Sequence, residues 1–510
     1  GYRNTSNSPE ESRSISLRLT DANGASSENI DFTVNISAEI DSTVTAFTAS
    51  LVNTFTDGVQ YNSDIAAFDD GSYVVVWQSE GQENNNSVYS IHGQRFSADG
   101  NALGTEFLVS QESAVTSGQS DNDPKVTTFA DGSYVVVWQG HGTNDSVDIK
   151  ARLFDANGLA LGDEFQVNDF ASSSQEYPDV VRLSDGNFAV TWPSSGGDGS
   201  SWGISYRIFQ SDGTAVTNEL VANTTTTGTQ YSSSIDASST GFAITWYSDN
   251  HNGSTSNEII VQQFANDGAP LGSEIEVTSL SAGNQATPKV SYAADGSFVV
   301  AWEDTTNQSD GSGSAILAQR YDASGSSLGQ TFVVNENPAS GQNSPSIDHL
   351  PNGNFVITWY SADSADIFRR EFSSDGQPLD GDQLVNIGQQ SGTQTRPSVT
   401  SLGNGDYVIT YHDQNSADGS SYGVFQSFFG SQSTNQNPTL SGFANAVTFA
   451  ENAVNNAPQI LDAAVSLQDI DSTDFDGGVV TLGYIKFGEE EDQLGVNNQG
   501  NGPSQIGVSG

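Results

Sequence analysis

The sequence predicts an all-β protein built around a seven-bladed β-propeller that an N-terminal strand closes, and three observations lead to this prediction. The segment Asp70–Trp77 recurs six more times along the chain, at a mean spacing of about 56 residues. Each of the first six repeats holds four short runs rich in Val, Ile, Tyr, Phe, Trp and Thr, with turn residues between them. The last repeat lacks a fourth run, and a matching run precedes the first repeat.

The repeated segment marks the second strand of each blade. Its further copies are Asp131–Trp138, Asp185–Trp192, Gly241–Trp246, Asp295–Trp302, Asn352–Trp359 and Asn404–Tyr411. The strands of the second repeat are predicted at Pro124–Phe129, Tyr134–Trp138, Ile149–Phe154 and Glu164–Val167. Four short antiparallel strands form one blade, and blades stacked in a ring leave only short, protected sheet edges.

Closure of the ring supports the count of seven blades. The seventh repeat ends after its third strand, near residues 425–429. Ser50–Asn53 reads Ser-Leu-Val-Asn and matches the fourth strands at Phe107–Ser110, Phe165–Asn168 and Gln383–Asn386. We therefore expect Ser50–Asn53 to complete the seventh blade, which would remove two open sheet edges.

The chain is expected to contain three parts, with the propeller at 44–430. Residues 1–43 hold a hairpin around the turn Asp21–Gly24 and are predicted to be the C-terminal part of an immunoglobulin-like sandwich. Residues 431–510 follow a polar linker and are predicted to be the N-terminal part of a second sandwich. Because residue 1 is not Met and begins a polar stretch, we expect a mature or internal piece of a longer protein.

Two flanking motifs resemble a known family. Leu19–Gly24 (Leu-Thr-Asp-Ala-Asn-Gly) and the pair Phe449–Asn452 and Asp469–Ser472 are similar to the ends of cadherin-like repeats in large, type I secreted bacterial surface adhesins of the RTX type. The resemblance implies a location outside the cell at the bacterial surface, neighbouring domains in the same long chain, and calcium at domain junctions. The candidate calcium ligands are Asp21, Glu451, Asp469 and Asp471, and the alternative is that they are solvated turn carboxylates.

Composition excludes several classes of partner and chemistry. Lys and Arg number 15 against 63 Asp and Glu, which gives a net charge of −48. Such a chain cannot neutralise many phosphates, so neither nucleic acid nor an anionic membrane surface is an expected partner. No apolar run is long enough to predict membrane insertion. The absence of Cys excludes disulfides, thiolate catalysis and Cys-ligated zinc.

Candidate binding residues lie in the loops that join one blade to the next. In six repeats this loop contains a Gln at the same position, commonly as the first residue of the motif Gln-x-x-Pro. In the second repeat, Asp121 occupies this position. The six residues are Gln60, Gln175, Gln230, Gln285, Gln342 and Gln394. A ring of amides near the channel mouth could bind sugar hydroxyls, because an amide both donates and accepts hydrogen bonds. The alternative is that each Gln holds the backbone of its own loop.

Aromatic residues of the same face are candidates for stacking on sugar rings. Trp202 is the one Trp outside the repeated segment, and Tyr177 and Tyr247 lie in the neighbouring loops with Tyr61 and Tyr231. The alternative for Trp202 is that it covers a blade edge. Four arginines recur in third strands and four glutamates in fourth strands, and they are predicted to form cross-strand ion pairs, with anion recognition as the alternative: Arg95, Arg152, Arg207 and Arg320 with Glu106, Glu164, Glu219 and Glu274.

These observations favour an extracellular, calcium-dependent adhesion or binding module whose loop-rich face takes a glycan or another cell-surface ligand. Two alternatives remain open. One is a polysaccharide-degrading glycoside hydrolase or lyase, with carboxylates such as Asp121, Glu303 or Asp304 at the channel mouth. The other is an inert spacer. No catalytic residue is assigned, because the five His residues occupy different places in the repeat.

Overall fold

The computed structural model describes the central part of the chain with short gaps, together with four short strands outside it. The described residues are 12–17, 30–35, 45–46, 49–83, 88–111, 120–142, 146–170, 172–249, 251–253, 256–278, 283–305, 313–338, 341–388, 392–414, 422–430, 439–441 and 466–468. The chain divides into two units, one of residues 46–430 and the other of residues 1–45 and 431–510.

The unit 46–430 contains seven antiparallel sheets, which we number as blades 1 to 7. Blades 1 to 3 comprise Gln60–Ala67, Tyr73–Glu80, Tyr89–Phe96 and Ala102–Leu108; Asn122–Thr128, Tyr134–His141, Val147–Phe154 and Phe165–Gln166; Asp179–Arg182, Phe188–Ser195, Trp202–Phe209 and Leu220–Val221. Blades 4 and 5 comprise Gln230–Ala237, Gly241–Ser248, Glu258–Ala265 and Pro270–Glu276; Gln285–Tyr292, Phe298–Asp304, Ala315–Tyr321 and Ser327–Val333. Blades 6 and 7 comprise Gln342–His349, Phe355–Ser361, Asp366–Phe372 and Gln383–Leu384; Thr393–Ser401, Tyr407–Gln414, Tyr422–Gly430 and Ser50–Leu51.

The first strand of every blade lies nearest the centre, and we call it the inner strand. Each inner strand contacts the inner strand of the next blade, and blade 7 contacts blade 1. Blade 7 takes its fourth strand from the N-terminal side: Leu51 pairs with Phe425, Ser50 pairs with Gln426, and the Val52 N–H donates to the Val424 carbonyl at 2.8 Å. The predicted fold class, a seven-bladed propeller closed by an N-terminal strand, is confirmed.

The hydrophobic core lies between the blades. In blade 2, Val135 and Val137 pack toward blade 3, whereas Val136 and Trp138 pack toward blade 1. Both faces of the second strand are therefore buried, which explains why this strand is a continuous apolar run rather than an alternating one. The repeat's aromatic residue is almost fully buried in every blade: Trp77, Trp138, Trp192, Trp246, Trp302, Trp359 and Tyr411.

The predicted ion pairs between third and fourth strands are wrong. Among the described residues, none of the four arginines pairs with its predicted glutamate. Arg152 Nη1 instead donates to the Val109 carbonyl of the preceding blade at 2.9 Å. Glu219 accepts the Asp169 N–H of the preceding blade at 2.8 Å. Backbone groups that follow the fourth strand of the preceding blade lie closer to these side chains than the predicted ionic partners do. The side chains therefore connect neighbouring blades rather than two strands of one blade.

Outside the propeller, the structure describes two short antiparallel pairs, whereas the two-residue strand Thr45–Ala46 belongs to the sheet of blade 7. Ser12–Leu17 pairs with Ile30–Asn35, and Thr439–Ser441 pairs with Ser466–Gln468. The first pair matches the predicted hairpin, while the sandwich assignment of both flanks stays a prediction. One 3₁₀ turn, His251–Gly253, lies in blade 4. In the described part of the chain, no helix has the length and apolar character needed to cross a membrane.

Candidate functional site

A ring of strained residues surrounds the channel mouth on the loop-rich face. In each blade, the residue two positions after the repeated Gln or Asp has a positive φ, between 45° and 59°, although none is a glycine. We call these the rim residues: Asn62, Asp123, Tyr177, Ser232, Thr287, Ser344 and Arg396. Backbone strain of this kind persists only where the surrounding structure holds it.

The strain coincides with a bulge near the start of the inner strand. In six blades, the register between the inner and second strands shifts at this point. A bulge redirects the side chains next to it, here those at the channel mouth. Of the rim residues, only Tyr177 was singled out from the sequence, but the pattern Gln-x-x-Pro contains the position of all seven as the second x.

The six predicted glutamines lie beneath this rim and are at most 2% exposed. Three of them accept the indole N–H of the repeated Trp: Gln175 from Trp192 at 3.0 Å, Gln285 from Trp302 at 2.8 Å, and Gln342 from Trp359 at 3.0 Å. Other amide groups of the set donate to nearby backbone or side-chain oxygens, as Gln60, Gln230 and Gln394 do. These amides are thus engaged within the blades, and a direct role in ligand binding stays a prediction.

Four of the five predicted aromatic residues meet on the rim of blades 3 and 4. Tyr231 stands at the centre, with ring centroids 5.8 Å from Tyr177, 5.1 Å from Trp202 and 6.2 Å from Tyr247. The Trp202 contact is edge-to-face, at 89°. Tyr177 is 43% exposed, and the other three rings are partly exposed. We call this group the aromatic cluster.

Tyr61, the fifth aromatic candidate, belongs to a separate group on the far side of the mouth. Its ring lies 5.4 Å from Tyr89, 6.1 Å from Tyr422 and 5.9 Å from His412. The two groups are built in the same way. In each, a tyrosine of an inner strand contacts the first residue of the third strand of the preceding blade: Tyr61 contacts Tyr422, and Tyr231 contacts Trp202. Parallel bridges at Val59 and Tyr422, and at Trp202 and Thr229, hold these strands together.

A carboxylate borders the aromatic cluster. The Tyr231 hydroxyl donates to Oε2 of Glu176 at 2.5 Å, and the Tyr177 N–H donates to Oε1 of Gln139 at 2.8 Å. Burial, followed by the hydrogen bond and the charge of Glu176, raises the pKa of Tyr231. The phenol therefore stays protonated at neutral pH and fixes the position of the Glu176 carboxylate.

A polar bridge crosses the rim from blade 7 to blade 2. Arg396 Nη1 donates to Oδ1 of Asn62 at 2.6 Å and lies 3.5 Å from Oδ1 of Asp123, and Asn62 Nδ2 donates to the same Asp123 oxygen at 2.7 Å. The Arg396 side chain is 55% exposed. Burial raises the pKa of Asp123, although Arg396 and Lys125 oppose this effect.

Further carboxylates near the mouth have raised pKa values. Burial raises the pKa of Asp121 to about 6, and burial also raises the pKa of Glu303, whose Oε2 accepts the Thr287 hydroxyl at 3.4 Å. Asp304 is buried and accepts the Gln285 amide at 3.1 Å. Glu303 thus lies beside a rim residue, while Asp304 belongs to the buried support of the loop.

Deeper in the channel, carboxylates of one blade accept backbone N–H groups of the next blade. Asp236 accepts from Tyr292 at 2.6 Å, and Asp348 accepts from Ser401 at 2.7 Å. Burial raises the pKa of Asp236 to about 7 and that of Asp348 to about 6. These bonds satisfy backbone N–H groups at the free edges of the inner strands of blades 5 and 7, which gives Asp236 and Asp348 a structural role.

The predicted calcium ligands Asp21, Glu451, Asp469 and Asp471 lie outside the described residues. Within the described residues, no group of three or more His, Asp or Glu side chains is placed to hold a metal ion. Calcium binding therefore stays a prediction from the resemblance of the flanks.

No family model and no curated protein matches the chain. Among solved structures, a protein of unknown function from Dyadobacter fermentans is similar with a TM-score of 0.47 and 10% identity, over 76% of this chain and 98% of that chain. An α-L-arabinanase of Penicillium chrysogenum, complexed with arabinobiose, has a TM-score of 0.43 and 12% identity, over 59% and 92%. The NanB sialidase of Streptococcus pneumoniae has a TM-score of 0.41 and 10% identity, over 76% and 70%.

These neighbours include carbohydrate-active enzymes, but every TM-score is below 0.5 and every identity below 25%. A propeller scaffold hosts many unrelated functions. The function of this chain is therefore inferred below from its own site residues.

Proposed function

We propose that the loop-rich face of the propeller binds a glycan at the aromatic cluster. The observation that carries this proposal is the grouping of Tyr177, Trp202, Tyr231 and Tyr247, with partly exposed rings, beside the Glu176 carboxylate. Aromatic faces stack on the C–H faces of sugars, and adjacent carboxylates and hydroxyls accept and donate hydrogen bonds to sugar hydroxyls. The aromatic rings and the Glu176 carboxylate thus lie together at one edge of the channel mouth.

The repeat itself argues for a specific role of this cluster. Positions equivalent to Tyr231 hold Asn122, Ala286 and Asn343 in other blades, so the fold does not require an aromatic residue there. Positions equivalent to Trp202 are likewise not uniformly aromatic, because blade 2 holds Val147. A purely architectural role would favour the same residue in every blade.

The test is a glycan array probed with the full chain, followed by calorimetric titration of the glycan that binds. Trp202→Ala should weaken that binding about ten-fold, which corresponds to about 1.4 kcal/mol. Tyr360→Ala is a matched control, since Tyr360 occupies the position of Tyr247 in blade 6. Equal affinity of Trp202→Ala and the unmodified protein would contradict the proposal.

A second candidate function is hydrolysis of a glycosidic bond at the same mouth. The observation that favours it is the pair of Asp123, whose pKa is raised by burial, and Glu176, whose charge acts on Asp123. Glycosidases commonly act through a pair of carboxyl groups that flank the scissile bond. Incubation with polysaccharides should then release new reducing ends, and Asp123→Asn should abolish the release while binding persists. Release by Asp123→Asn at the normal rate would exclude this assignment.

Adhesion at a bacterial surface, calcium dependence and cadherin-like flanks are further proposals that the flanking motifs support. If calcium binds the flanks, adding it to the metal-free full chain should raise a thermal transition separate from that of the propeller. Asp469→Asn together with Asp471→Asn should remove that shift. A calcium-independent melting profile would contradict this part of the proposal.

A further inference from the structure

One layer of the channel is chemically asymmetric. It contains the residues four positions after the repeated Gln or Asp of each inner strand, and we call it the channel layer: Asp64, Lys125, Asp179, Ser234, Lys289, Ser346 and Ser398. Two of the four lysines of the chain lie in this layer. In a chain with a net charge of −48, this is an unusual concentration of amines.

Lys125 is neutralised by its neighbours. Its Nζ lies 2.8 Å from Oδ1 of Asp64, which belongs to the preceding blade. Burial alone would lower the pKa of Lys125, but the charges of Asp64 and of Asp179 in the next blade outweigh burial and raise it. Lys125 thus stands between two carboxylates and has its countercharge within the protein.

Lys289 has a different surrounding. The adjacent blades place Ser234 and Ser346 at its level, where Lys125 has aspartates. The Lys289 backbone pairs with Ala301 in the sheet, but within the part of the chain that the structure describes its side chain makes no hydrogen bond and no ion pair. The charged groups that act on it are Lys125, Asp179 and Asp64, in that order, after burial.

The carboxylates of the next layer do not supply the missing countercharge. Asp236 and Asp348 accept backbone N–H groups at 2.6 and 2.7 Å, and neither is among the groups that affect the pKa of Lys289. Burial and the charge of Lys125 lower that pKa, and Asp179 and Asp64 only partly oppose them. A partly buried amine with no countercharge in contact is unfavourable, and an anionic ligand would relieve this cost.

We propose that the Lys289 ammonium group and the Ser234 and Ser346 hydroxyls bind the anionic substituent of an acidic glycan, a carboxylate or a sulfate ester. The Ser346 oxygen accepts the Val399 N–H at 3.3 Å, which leaves its hydroxyl proton for a ligand. A charged donor beside two hydroxyls is a suitable partner for an oxyanion.

The rim residues above the channel layer are consistent with an anionic substituent bound beside Lys289. Blades 4, 5 and 6 carry the short rim residues Ser232, Thr287 and Ser344, whereas the bridge from Arg396 to Asp123 spans blades 7, 1 and 2. The aromatic cluster occupies blades 3 and 4, next to blade 5. A glycan stacked on the cluster would thus have its acidic group near Lys289, and this inference rests on the proposed glycan binding for its ligand class.

The first experiment titrates the full chain with oligosaccharides of equal length that are neutral, uronate-containing or sulfated. The unmodified protein should prefer one acidic form by about ten-fold, and Lys289→Gln should abolish the preference while neutral binding stays unchanged. Lys150→Gln is the matched control, because Lys150 is partly buried but paired with Glu164 at 2.7 Å. An undiminished preference in Lys289→Gln would overturn the inference.

A second experiment is independent of glycan binding. The acetylation rate of Lys289 is followed by mass spectrometry with sodium glucuronate, sodium sulfate or neutral glucose, and Lys150 is the internal reference. Protection of Lys289 several-fold by either anion, but not by glucose, supports the anion site even if no array glycan binds, in which case only the glycan proposal fails. Equal rates in all three solutions would overturn the anion site. A comparison of glucuronate with sulfate identifies the preferred oxyanion.

Discussion

The Tyr231 hydroxyl donates a 2.5 Å hydrogen bond to Oε2 of Glu176, and this bond joins the inner strand of blade 4 to the inter-blade loop of blade 3. It also joins the two chemical components of the proposed site, because Tyr231 is the centre of the aromatic cluster and Glu176 is its carboxylate. The orientation of Glu176 therefore depends on a side chain of the neighbouring blade.

Tyr231→Phe should weaken glycan binding while leaving the propeller folded. The ring contacts with Trp202 and Tyr177 remain, but Glu176 loses the donor that orients it. We expect about a three- to ten-fold loss of affinity in calorimetric titration, as for one hydrogen bond of about 1 kcal/mol. Tyr360→Phe serves as the control. A loss of affinity as large in the control would show that the effect does not arise at this site.

Gln285→Ala should lower stability without changing glycan affinity. The substitution leaves the buried Trp302 indole N–H without its 2.8 Å partner, which costs about 1–3 kcal/mol. The midpoint of urea unfolding, followed by Trp fluorescence, should therefore fall. Unchanged stability combined with lost affinity would instead assign this glutamine a direct contact with the ligand.

Asp236→Asn should reduce the change in the free energy of unfolding between about pH 4 and pH 7. Burial raises the pKa of Asp236 to about 7 in the folded protein, against about 3.9 in an unfolded chain. Between these values the folded state binds more protons, so the free energy of unfolding falls as pH rises from about 4 to 7, by up to about 4 kcal/mol. Asn keeps an acceptor for the Tyr292 N–H and does not titrate.

The measurement is urea unfolding of Asp236→Asn and the unmodified protein at pH 5 and pH 8. The variant should gain relative stability at pH 8. Asp185→Asn is the control, because Asp185 is exposed in a turn where Asn352 and Asn404 occur naturally. Parallel pH profiles for Asp236→Asn and the unmodified protein would exclude this role for Asp236.

Val52→Asp should open the seventh blade. Val52 is 3% exposed and packs with Trp77 and Val424 between blades 7 and 1. A buried, unpaired carboxylate there is expected to cost several kcal/mol and to detach the N-terminal strand. Hydrogen exchange should then increase at residues 424–426 before it increases in blade 4. Ser50→Asp, at an exposed position of the same strand, should leave exchange unchanged.

The number of blades could be predicted from the sequence because each second strand must be buried on both faces, which imposes the same apolar run seven times. The closing strand was predictable for a similar reason, since Ser50–Asn53 keeps the pattern of the fourth strands. The ion-pair prediction was wrong because it considered only partners within the same hairpin. The actual partners include backbone groups of the preceding blade, such as the Val109 carbonyl that accepts a hydrogen bond from Arg152.

The site was only partly predictable. Four aromatic candidates do meet, because the repeat places the loops and strand ends that hold them on the same face of two neighbouring blades. The rim residues vary in type from blade to blade, so no shared chemistry marks them in sequence, although their position in Gln-x-x-Pro is constant. The different surroundings of Lys125 and Lys289 follow from which blades are neighbours, and this becomes visible only when the seven repeats are arranged as a ring.

The way in which blade 7 is closed determines how the propeller responds to mechanical load. Because Ser50 lies opposite Gln426 and Leu51 opposite Phe425, the chain enters and leaves the propeller at the same end of one sheet. Tension between residue 49 and Gly430 therefore peels the N-terminal strand from its end, and its hydrogen bonds break one after another instead of sharing the force. Under load, this strand separates first and blade 7 acts as a release point, while the other six sheets, each formed from consecutive strands, remain intact.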